Sequence, residues 1–258
     1  MTFEELRNRI EEYERKQPNV KIAYGGDGQV LRAVEKFPKK CIIPFRDYGL
    51  CEKHEHRLED FLDGKEGQKD LKFTRCPYID YKLFWNRTKE VYKAPGNFFE
   101  YTDKGIAEIT FRNSDISEAL RYNVYVNGKL YLKNVIADGS LVATSYAATG
   151  YWKSITRCIF NGDSIGVAFI APTQGISNLV LDNKTVLKFE FLRDAMIQIT
   201  ADKKKRNHTI EKGDWLEVQM IPEAASIFGL DSFHCFECRK KRHSTIEAGL
   251  ELQDQYSL

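Results

Sequence analysis

The sequence contains no long apolar run, and its longest apolar stretches are short, such as IGVAFIA at 165–171. A membrane-spanning helix needs about 18 or more consecutive apolar residues, so the sequence predicts no membrane partner. The first residues, MTFEELRNRIEEYERK, are charged and helical in period, without the apolar segment of a signal peptide. We therefore expect a cytoplasmic protein.

A strong excess of one charge is also missing, because 39 Lys and Arg residues face 37 Asp and Glu residues, for a net charge of +2. This balance predicts that nucleic acid is not a partner. Six cysteines in a chain of 258 residues without a secretion signal favour free thiols over a disulfide framework. The length suits one large domain or two modest ones.

The N-terminal part has the pattern of a βαβ unit. Residues 3–16 have the apolar period of an amphipathic helix, and VKIAY at 20–24 is a short apolar strand. The glycine-rich sequence GGDG at 25–28 follows, and then a helix at 29–37 and a second strand at 41–45. This order predicts a parallel sheet. A further helix is expected at about 54–63.

From about residue 100 the pattern changes to short runs rich in Val, Ile, Tyr and Phe, separated by Asn, Gly and Asp. Asn127–Gly128 is a strong hairpin signal, and one helix is expected near 148–160. The predicted fold class is α/β, with an α/β domain at 1–100 and a β-rich, sandwich-like domain at 101–222. The tail at 223–258 is predicted either to pack back on the first domain or to contact a partner.

GGDG is the sharpest chemical motif. Glycines at a strand-to-helix turn let the backbone approach a ligand, and the helix N-terminus attracts phosphate. A carboxylate repels phosphate, so Asp27 is better suited to act near Mg²⁺ or as the base for an attacking hydroxyl. The alternative is a plain glycine turn with a solvated Asp.

The segment ADGSLVATSYAATGY at 137–151 is the second motif. Its small residues allow a flat ligand to lie against the backbone, and Tyr151 is suited to stacking on it. The alternative is close packing at a helix start. The adjacent Trp152 either borders a pocket or packs in the core.

These motifs resemble those of the NAD kinases. GGDGQVLRAV looks like the family's GGDGT-L-A motif, and the 124–151 stretch resembles its hairpin, DG, strand and T-P-T-G-S-T-A-Y signature. IAPTQGISNLVL is similar to A-P-H-S-L-S-x-R-P-L-V, and the turn at 211–214 to K-P-G-D. The resemblance covers roughly residues 20–222 and implies an NAD kinase-like fold with its active site in the cleft between two domains.

The resemblance implies roles for individual residues. Asp27 would activate the adenosine-ribose 2′-hydroxyl of NAD, and Asp138 would bind the nicotinamide end. The other implied nucleotide-binding residues are Gly25, Gly26, Gly28, Glu108, Tyr146, Thr149, Gly150 and Tyr151. The implied substrates and cofactors are NAD, ATP (or polyphosphate) and Mg²⁺, with no metal site made by the protein itself, and the implied assembly is a homo-oligomer, a dimer or a tetramer.

The sequence also departs from the family pattern. Gln29 stands where the family has a Thr, and Ala107 where it has the Asn of an Asn-Glu pair. The family's T-G-S triplet is Tyr146-Ala147-Ala148 here, so a large ring replaces a small residue. The segment before GGDG is shorter by about one strand–helix unit. These departures keep two alternatives open: a nucleotide-binding protein without kinase activity, and a kinase of the same superfamily that phosphorylates another hydroxyl.

Two other residue clusters each allow two interpretations. His234, Cys235, Cys238 and His243 form either a zinc half-site or, the favoured interpretation, a surface helix with incidental thiols. The basic run at 203–206 is predicted to be a solvated hairpin turn, with attraction of ATP phosphates as the alternative.

Overall fold

The computed structural model describes residues 3–45, 62–63, 73–86, 98–115 and 117–228. The chain divides into two compact units, Met1–Arg75 with Ala225–Leu258, and Cys76–Ala224. The domain ranges 1–100, 101–222 and 223–258 stay a prediction. The cysteine–histidine cluster at 234–243 and the expected helix at 54–63, apart from Leu62 and Asp63, lie outside the described residues.

The first unit has the predicted βαβ order. Its elements are α1 (Phe3–Lys16), β1 (Val20–Tyr24), α2 (Asp27–Lys36) and β2 (Cys41–Phe45). Strands β1 and β2 are parallel neighbours, and the end of a later strand pairs in parallel with β2 through Ser226 and Ile227. Ile22 and Ile43 are buried, and Leu6 of α1 packs against them. The amphipathic period of α1 is therefore explained by burial of one face.

The remaining elements are mostly strands. They are β3 (Phe73–Asn86), β4 (Phe98–Gly105), β5 (Glu108–Asn113), β6 (Leu120–Val126), β7 (Lys129–Ala137), β8 (Gly139–Thr144), a 3-10 turn (Ser145–Thr149), α3 (Tyr151–Thr156), β9 (Ser164–Ile170), β10 (Leu179–Asp182), β11 (Val186–Phe191), β12 (Ala195–Ala201), β13 (Lys204–Ile210) and β14 (Trp215–Phe228). In one sheet of the second unit the order is β14-β11-β6-β7, with β3 beside β14 and β4 beside β3. The other sheet has the order β10-β9-β8-β5-β12-β13.

Both sheets of the second unit contribute to one continuous core. Phe111 of β5, Tyr122 of β6 and Phe189 of β11 are wholly buried, and their rings meet edge to face at 4.9–6.0 Å. Side chains from alternate positions of the facing strands complete this cluster. The second unit is therefore a β-sandwich, which confirms the predicted fold class of an α/β part and a β-rich part.

Local predictions succeeded where turn chemistry was strong. Asn127 and Gly128 both have positive φ, 49° and 76°, and form the predicted hairpin turn between β6 and β7. The helix expected at 148–160 is shorter, because Gly150 interrupts it and Arg157 ends it in the left-handed region. Of the basic run at 203–206, only Lys203 lies in the predicted hairpin turn, since β13 begins at Lys204 and pairs with β12.

None of the helices in the part of the chain that the structure describes is long and apolar enough to cross a membrane. Free thiols were predicted, and the described cysteines Cys41, Cys76 and Cys158 form no disulfide.

Candidate functional site

The GGDG sequence connects β1 to α2. Gly25 has a φ of 125°, a conformation that favours glycine. Gly26 is the N-cap of α2 and offers no side chain to its N–H groups, and the N–H of Gln29 donates to the Gly26 carbonyl at 2.8 Å. Helix α2 therefore begins at Asp27, two residues earlier than predicted, and Gly28 lies in its first turn.

The start of α2 has the properties of an anion site. A β-carbon added at Gly26 would find no atom within 4 Å, so there is open space beside this backbone. The helix N-terminus carries positive partial charge, which favours phosphate. Val30, Ala33 and Val34 are buried and hold the helix in place. This turn is therefore suited to binding a phosphate group.

Asp138 and Gly139 lie where β7 meets β8, in the second unit. The Asp138 N–H donates to the Ile170 carbonyl, and its carbonyl accepts from the Asn113 N–H, both at 2.9 Å. A β-carbon at Gly139 would lie 2.9 Å from the Arg112 Cα. The backbones of β5 and β9 thus fix the position of the Asp138 Cα, from which its half-buried side chain extends.

The small-residue segment follows β8 as the 3-10 turn and α3. Ala147 and Ala148 are buried, whereas Tyr146 and Tyr151 are half-buried and Gly150 is exposed. Only the backbone position of Thr149 is described, as the last residue of the 3-10 turn. The segment therefore combines a packed side with an accessible side.

Trp152 anchors this segment and does not line a pocket. Its ring is wholly buried and meets Phe160 edge to face at 4.9 Å. A β-carbon at Gly166 of β9 would lie 2.7 Å from the Trp152 ring, so only glycine leaves room for it. Of the two alternatives for Trp152, core packing is confirmed.

Glu108 is the first residue of β5 and lies opposite Ala143 of β8. Burial, and secondly the negative charge of Asp202, raise the pKa of Glu108 to about 7. The Glu108 carboxyl therefore changes its protonation state near neutral pH, whereas a solvated Glu does so at about pH 4.

Asp202 lies in the turn between β12 and β13 with a φ of 51°. Its carboxylate accepts N–H groups from three successive residues, Ile106 at 2.8 Å, Ala107 at 2.8 Å and Glu108 at 3.1 Å. Its own N–H donates to the Glu108 carbonyl at 3.0 Å. Asp202 therefore holds the segment that leads into Glu108.

Thr144, the last residue of β8, holds the same segment through its carbonyls. Its hydroxyl donates to the Ile106 carbonyl at 2.7 Å and lies 3.1 Å from the Ala107 carbonyl, which also accepts the Thr144 N–H at 2.8 Å. The backbone of Ile106–Glu108 is thus bound from two sides.

The structure brings some of the predicted residues together and separates others. Glu108 lies at the end of β8 where the 145–151 segment begins, because it pairs with Ala143. Asp138 lies just before the opposite end of β8, about 17 Å away at five residue steps from Ala143. Asp27 and the glycines of GGDG belong to the first unit.

Sequence reasoning missed Asp202 and Thr144. The sequence signal for Asp202 was weak, an Asp between two β-like runs, which also fits a solvated turn. Thr144 was visible only as one hydroxyl in a row of small residues. Their joint role depends on the pairing of β5 with β8 and with β12, which sequence pattern alone does not specify.

Across the described ranges, no group of three or more His, Cys, Asp and Glu side chains could hold a metal ion. Mg²⁺ is commonly held by one or two carboxylates together with water and substrate phosphates.

No family model matches the sequence. The chain is similar to an NAD kinase of Clostridium tetani, with 24% identity over 69% of this chain and 64% of the relative. It is also similar to NAD kinases of Agathobacter rectalis, 31% identical over 52% of this chain and 44% of the relative, and Caldicellulosiruptor saccharolyticus, 23% identical over 87% of this chain and 82% of the relative. The chain thus spans less than two thirds of the first two relatives.

Two solved structures have the same fold. An NAD kinase from Archaeoglobus fulgidus in complex with ATP has a TM-score of 0.63 and 17% identity, over 88% of this chain and 91% of that one. A yeast NADH kinase complexed with NADH has a TM-score of 0.63 and 16% identity, over 81% of this chain and 60% of that one. At such identities the likeness establishes the fold.

Proposed function

We propose that this chain, which belongs to the NAD kinase family, is an NAD kinase that transfers the ATP γ-phosphoryl group to the 2′-hydroxyl of the adenosine ribose of NAD. The products are NADP and ADP. The names of the curated relatives support the reaction, and the ATP complex of the Archaeoglobus fulgidus enzyme supports ATP as the donor.

One observation supports the proposal most: GGDG forms a turn from a parallel strand into the first turn of α2, with Asp27 as the first helical residue. Phosphate is favoured at this helix end. A carboxylate at the same place repels phosphate and is therefore no phosphate ligand. It can accept a proton, which suits it to act as a base.

In this proposal Asp27 is the general base. The 2′-oxygen of NAD attacks the γ-phosphorus while its proton passes to the Asp27 carboxylate, and the bond from the γ-phosphorus to the bridging oxygen breaks to release ADP. Such a transfer depends mainly on positioning and on charge stabilisation.

The backbone at Gly25, Gly26 and Gly28 contributes by letting the phosphates approach the helix end. Mg²⁺, bound to the ATP phosphates, would neutralise charge on the transferred group.

The second unit supplies the NAD-binding residues in this proposal. Glu108, Tyr146, Thr149, Gly150 and Tyr151 lie near one end of β8 or just beyond it, and Asp138 at the other. An extended dinucleotide is long enough to use groups this far apart. The half-buried rings of Tyr146 and Tyr151 are suited to packing against a flat base.

A second candidate function is nucleotide binding without phosphoryl transfer. The observation that favours it is Ala107, which stands where the family has an Asn. Its N–H donates a hydrogen bond to Asp202, and its carbonyl accepts one from Thr144. Its methyl group cannot hydrogen-bond to a base. Losing such a contact costs about 1–3 kcal/mol of binding when nothing replaces it.

A coupled assay for NADP with purified protein, NAD, ATP and Mg²⁺ tests the proposal, beside an Asp27→Asn control. We expect product from the unmodified chain and none from the variant, whose NAD-dependent shift in melting temperature is kept. Full activity in the variant would remove Asp27 from the mechanism. An inactive unmodified chain that still gains thermal stability with NAD would favour the second candidate.

We further propose a cytoplasmic location and a homo-oligomer, either a dimer or a tetramer, with the family resemblance as support. Light scattering on the purified protein measures the assembly. Replacing ATP with polyphosphate in the same assay tests the alternative donor.

A further inference from the structure

Three consecutive backbone N–H groups, those of Ile106, Ala107 and Glu108, donate to the carboxylate of the half-buried Asp202. The approach is close on the other side too, since a β-carbon at Gly105 would lie 2.6 Å from an Asp202 carboxylate oxygen. The chain therefore wraps around this carboxylate from Gly105 to Glu108.

The wrapped segment also contacts the predicted nucleotide segment. The Thr144 hydroxyl donates to the carbonyls of Ile106 and Ala107, and the 3-10 turn Ser145–Thr149 begins at the next residue. Asp202 is thus connected, through one three-residue segment, both to Glu108 and to the start of the small-residue stretch.

We propose that Asp202 is a positioning residue of the nucleotide site, which sets the place of Glu108 and of the Ser145–Tyr151 segment by binding the backbone between them. This inference rests on the proposed function, in which these groups bind NAD. Asp202 acts through the backbone and is not assigned a contact with the nucleotide.

The charges around Asp202 give this role an electrostatic signature. The titratable and charged groups near it are Glu108 on β5, Tyr78 on β3 and Lys204 on β13. Lys204 itself pairs with Asp103 of β4 at 2.6 Å. Burial raises the pKa of Asp202, while its three N–H donors and Lys204 oppose that effect, and its charge contributes to the raised pKa of Glu108.

Another turn of the same sandwich provides a matched control. Asp214, between β13 and β14, is wholly buried and accepts the Glu211 N–H at 2.8 Å. Its N–H donates to the Glu211 carbonyl at 3.1 Å, and its carbonyl accepts the Phe191 N–H at 2.8 Å, so these contacts tie the turn before β14 to β11. Asp214→Asn therefore reports what the loss of a buried turn carboxylate does to folding alone.

The test compares Asp202→Asn, Thr144→Val and Asp214→Asn with the unmodified chain, below the melting temperature of each. For Asp202→Asn we expect the KM for NAD to rise roughly tenfold or more with a smaller change in kcat, because ground-state placement is lost. Thr144→Val should raise KM in the same direction. Asp214→Asn should lower the melting temperature and leave KM unchanged.

The pH dependence separates positioning from mere stability. In Asp202→Asn the pKa of Glu108, followed by carboxyl NMR of the nucleotide-free protein, should fall below that of the unmodified chain and stay above an ordinary Glu because burial remains. Thr144→Val, which removes no charge, should leave it in place. An Asp202→Asn protein with an unchanged KM for NAD would overturn the inference, whatever its Glu108 titration and however much stability it lost.

Failure of the kinase proposal gives a different result. If the unmodified chain makes no NADP but binds NAD in calorimetry, the Kd for NAD takes the place of KM, and a weaker Kd in Asp202→Asn supports the positioning role by itself. A chain that neither turns over nor binds NAD contradicts both proposals.

Discussion

Gly139 follows the predicted NAD-binding residue Asp138, and its replacement by Ala tests how tightly that residue is held. Gly139 starts β8 and pairs with Arg112 of β5. An added β-carbon would lie 2.9 Å from the Arg112 Cα and closer still to the Phe111 carbonyl oxygen. Both atoms are backbone atoms of a paired strand, so no side-chain rotation relieves the contact.

The cost of Gly139→Ala comes from separating β5 and β8 at this point. Overpacking a well-packed interior typically costs 1–3 kcal/mol, and a backbone obstacle places this case at about 3 kcal/mol or above. The two 2.9 Å backbone hydrogen bonds of Asp138 are then weakened as well. For a unit of this size we expect the melting temperature to fall by about 6–12 °C.

Urea unfolding followed by tryptophan fluorescence measures this effect selectively. All three tryptophans, Trp85, Trp152 and Trp215, lie in the second unit, so their emission reports the unfolding of that unit. The control is Gly175→Ala, because no atom lies within 4 Å of the added carbon there. If Gly139→Ala unfolds at the same urea concentration as the control, β5 and β8 do not approach as closely at Gly139 as the structure places them. If it is destabilised and also binds NAD more weakly, Asp138 depends on this approach.

Two further predictions concern buried polar groups of the same unit. Burial raises the pKa of Glu108 to about 7 from an ordinary 4.5, so the folded state binds this proton more tightly and stability declines as pH rises from 4.5 to 7. Glu108→Gln should therefore gain stability over the unmodified chain, by at most about 3 kcal/mol, at pH 8 but not at pH 4.5, in urea titrations; equal differences at both pH values contradict this. The buried Tyr122 hydroxyl donates to the Gly139 carbonyl and lies 2.7 Å from Ser140 Oγ, so Tyr122→Phe should cost about 1–3 kcal/mol by orphaning these groups. Adding Ser140→Ala should recover part of that loss, and strictly additive effects in the double mutant would show that the two hydroxyls are not coupled.

The first unit was largely predictable because its signals are local. The apolar period of α1, the short strands β1 and β2, and glycines at a turn depend on neighbouring residues only. The start of α2 was misplaced by two residues, since Asp27 and Gly28 are weak helix formers. Their inclusion in the helix follows from the N-cap at Gly26.

The site in the second unit was only half predictable. Glu108, Asp138 and the 145–151 segment were found through motif resemblance, and their roles stay predictions. Their spacing along β8 follows from the antiparallel register of β5 with β8, and register is set by packing across the whole sheet. The burial of Trp152 depends on Gly166, which is 14 positions away in the sequence and belongs to another strand.

By itself the sequence determined the element types, the Asn127–Gly128 hairpin and the strand–GGDG–helix order, because each depends on backbone preferences and on periodicity within a few residues. Only the tertiary structure decided that Asp202 and Thr144 hold Ile106–Glu108. That arrangement joins Asp202 to residues almost 100 positions earlier in the chain, and its carboxylate finds these N–H partners only when the strands that carry them have paired.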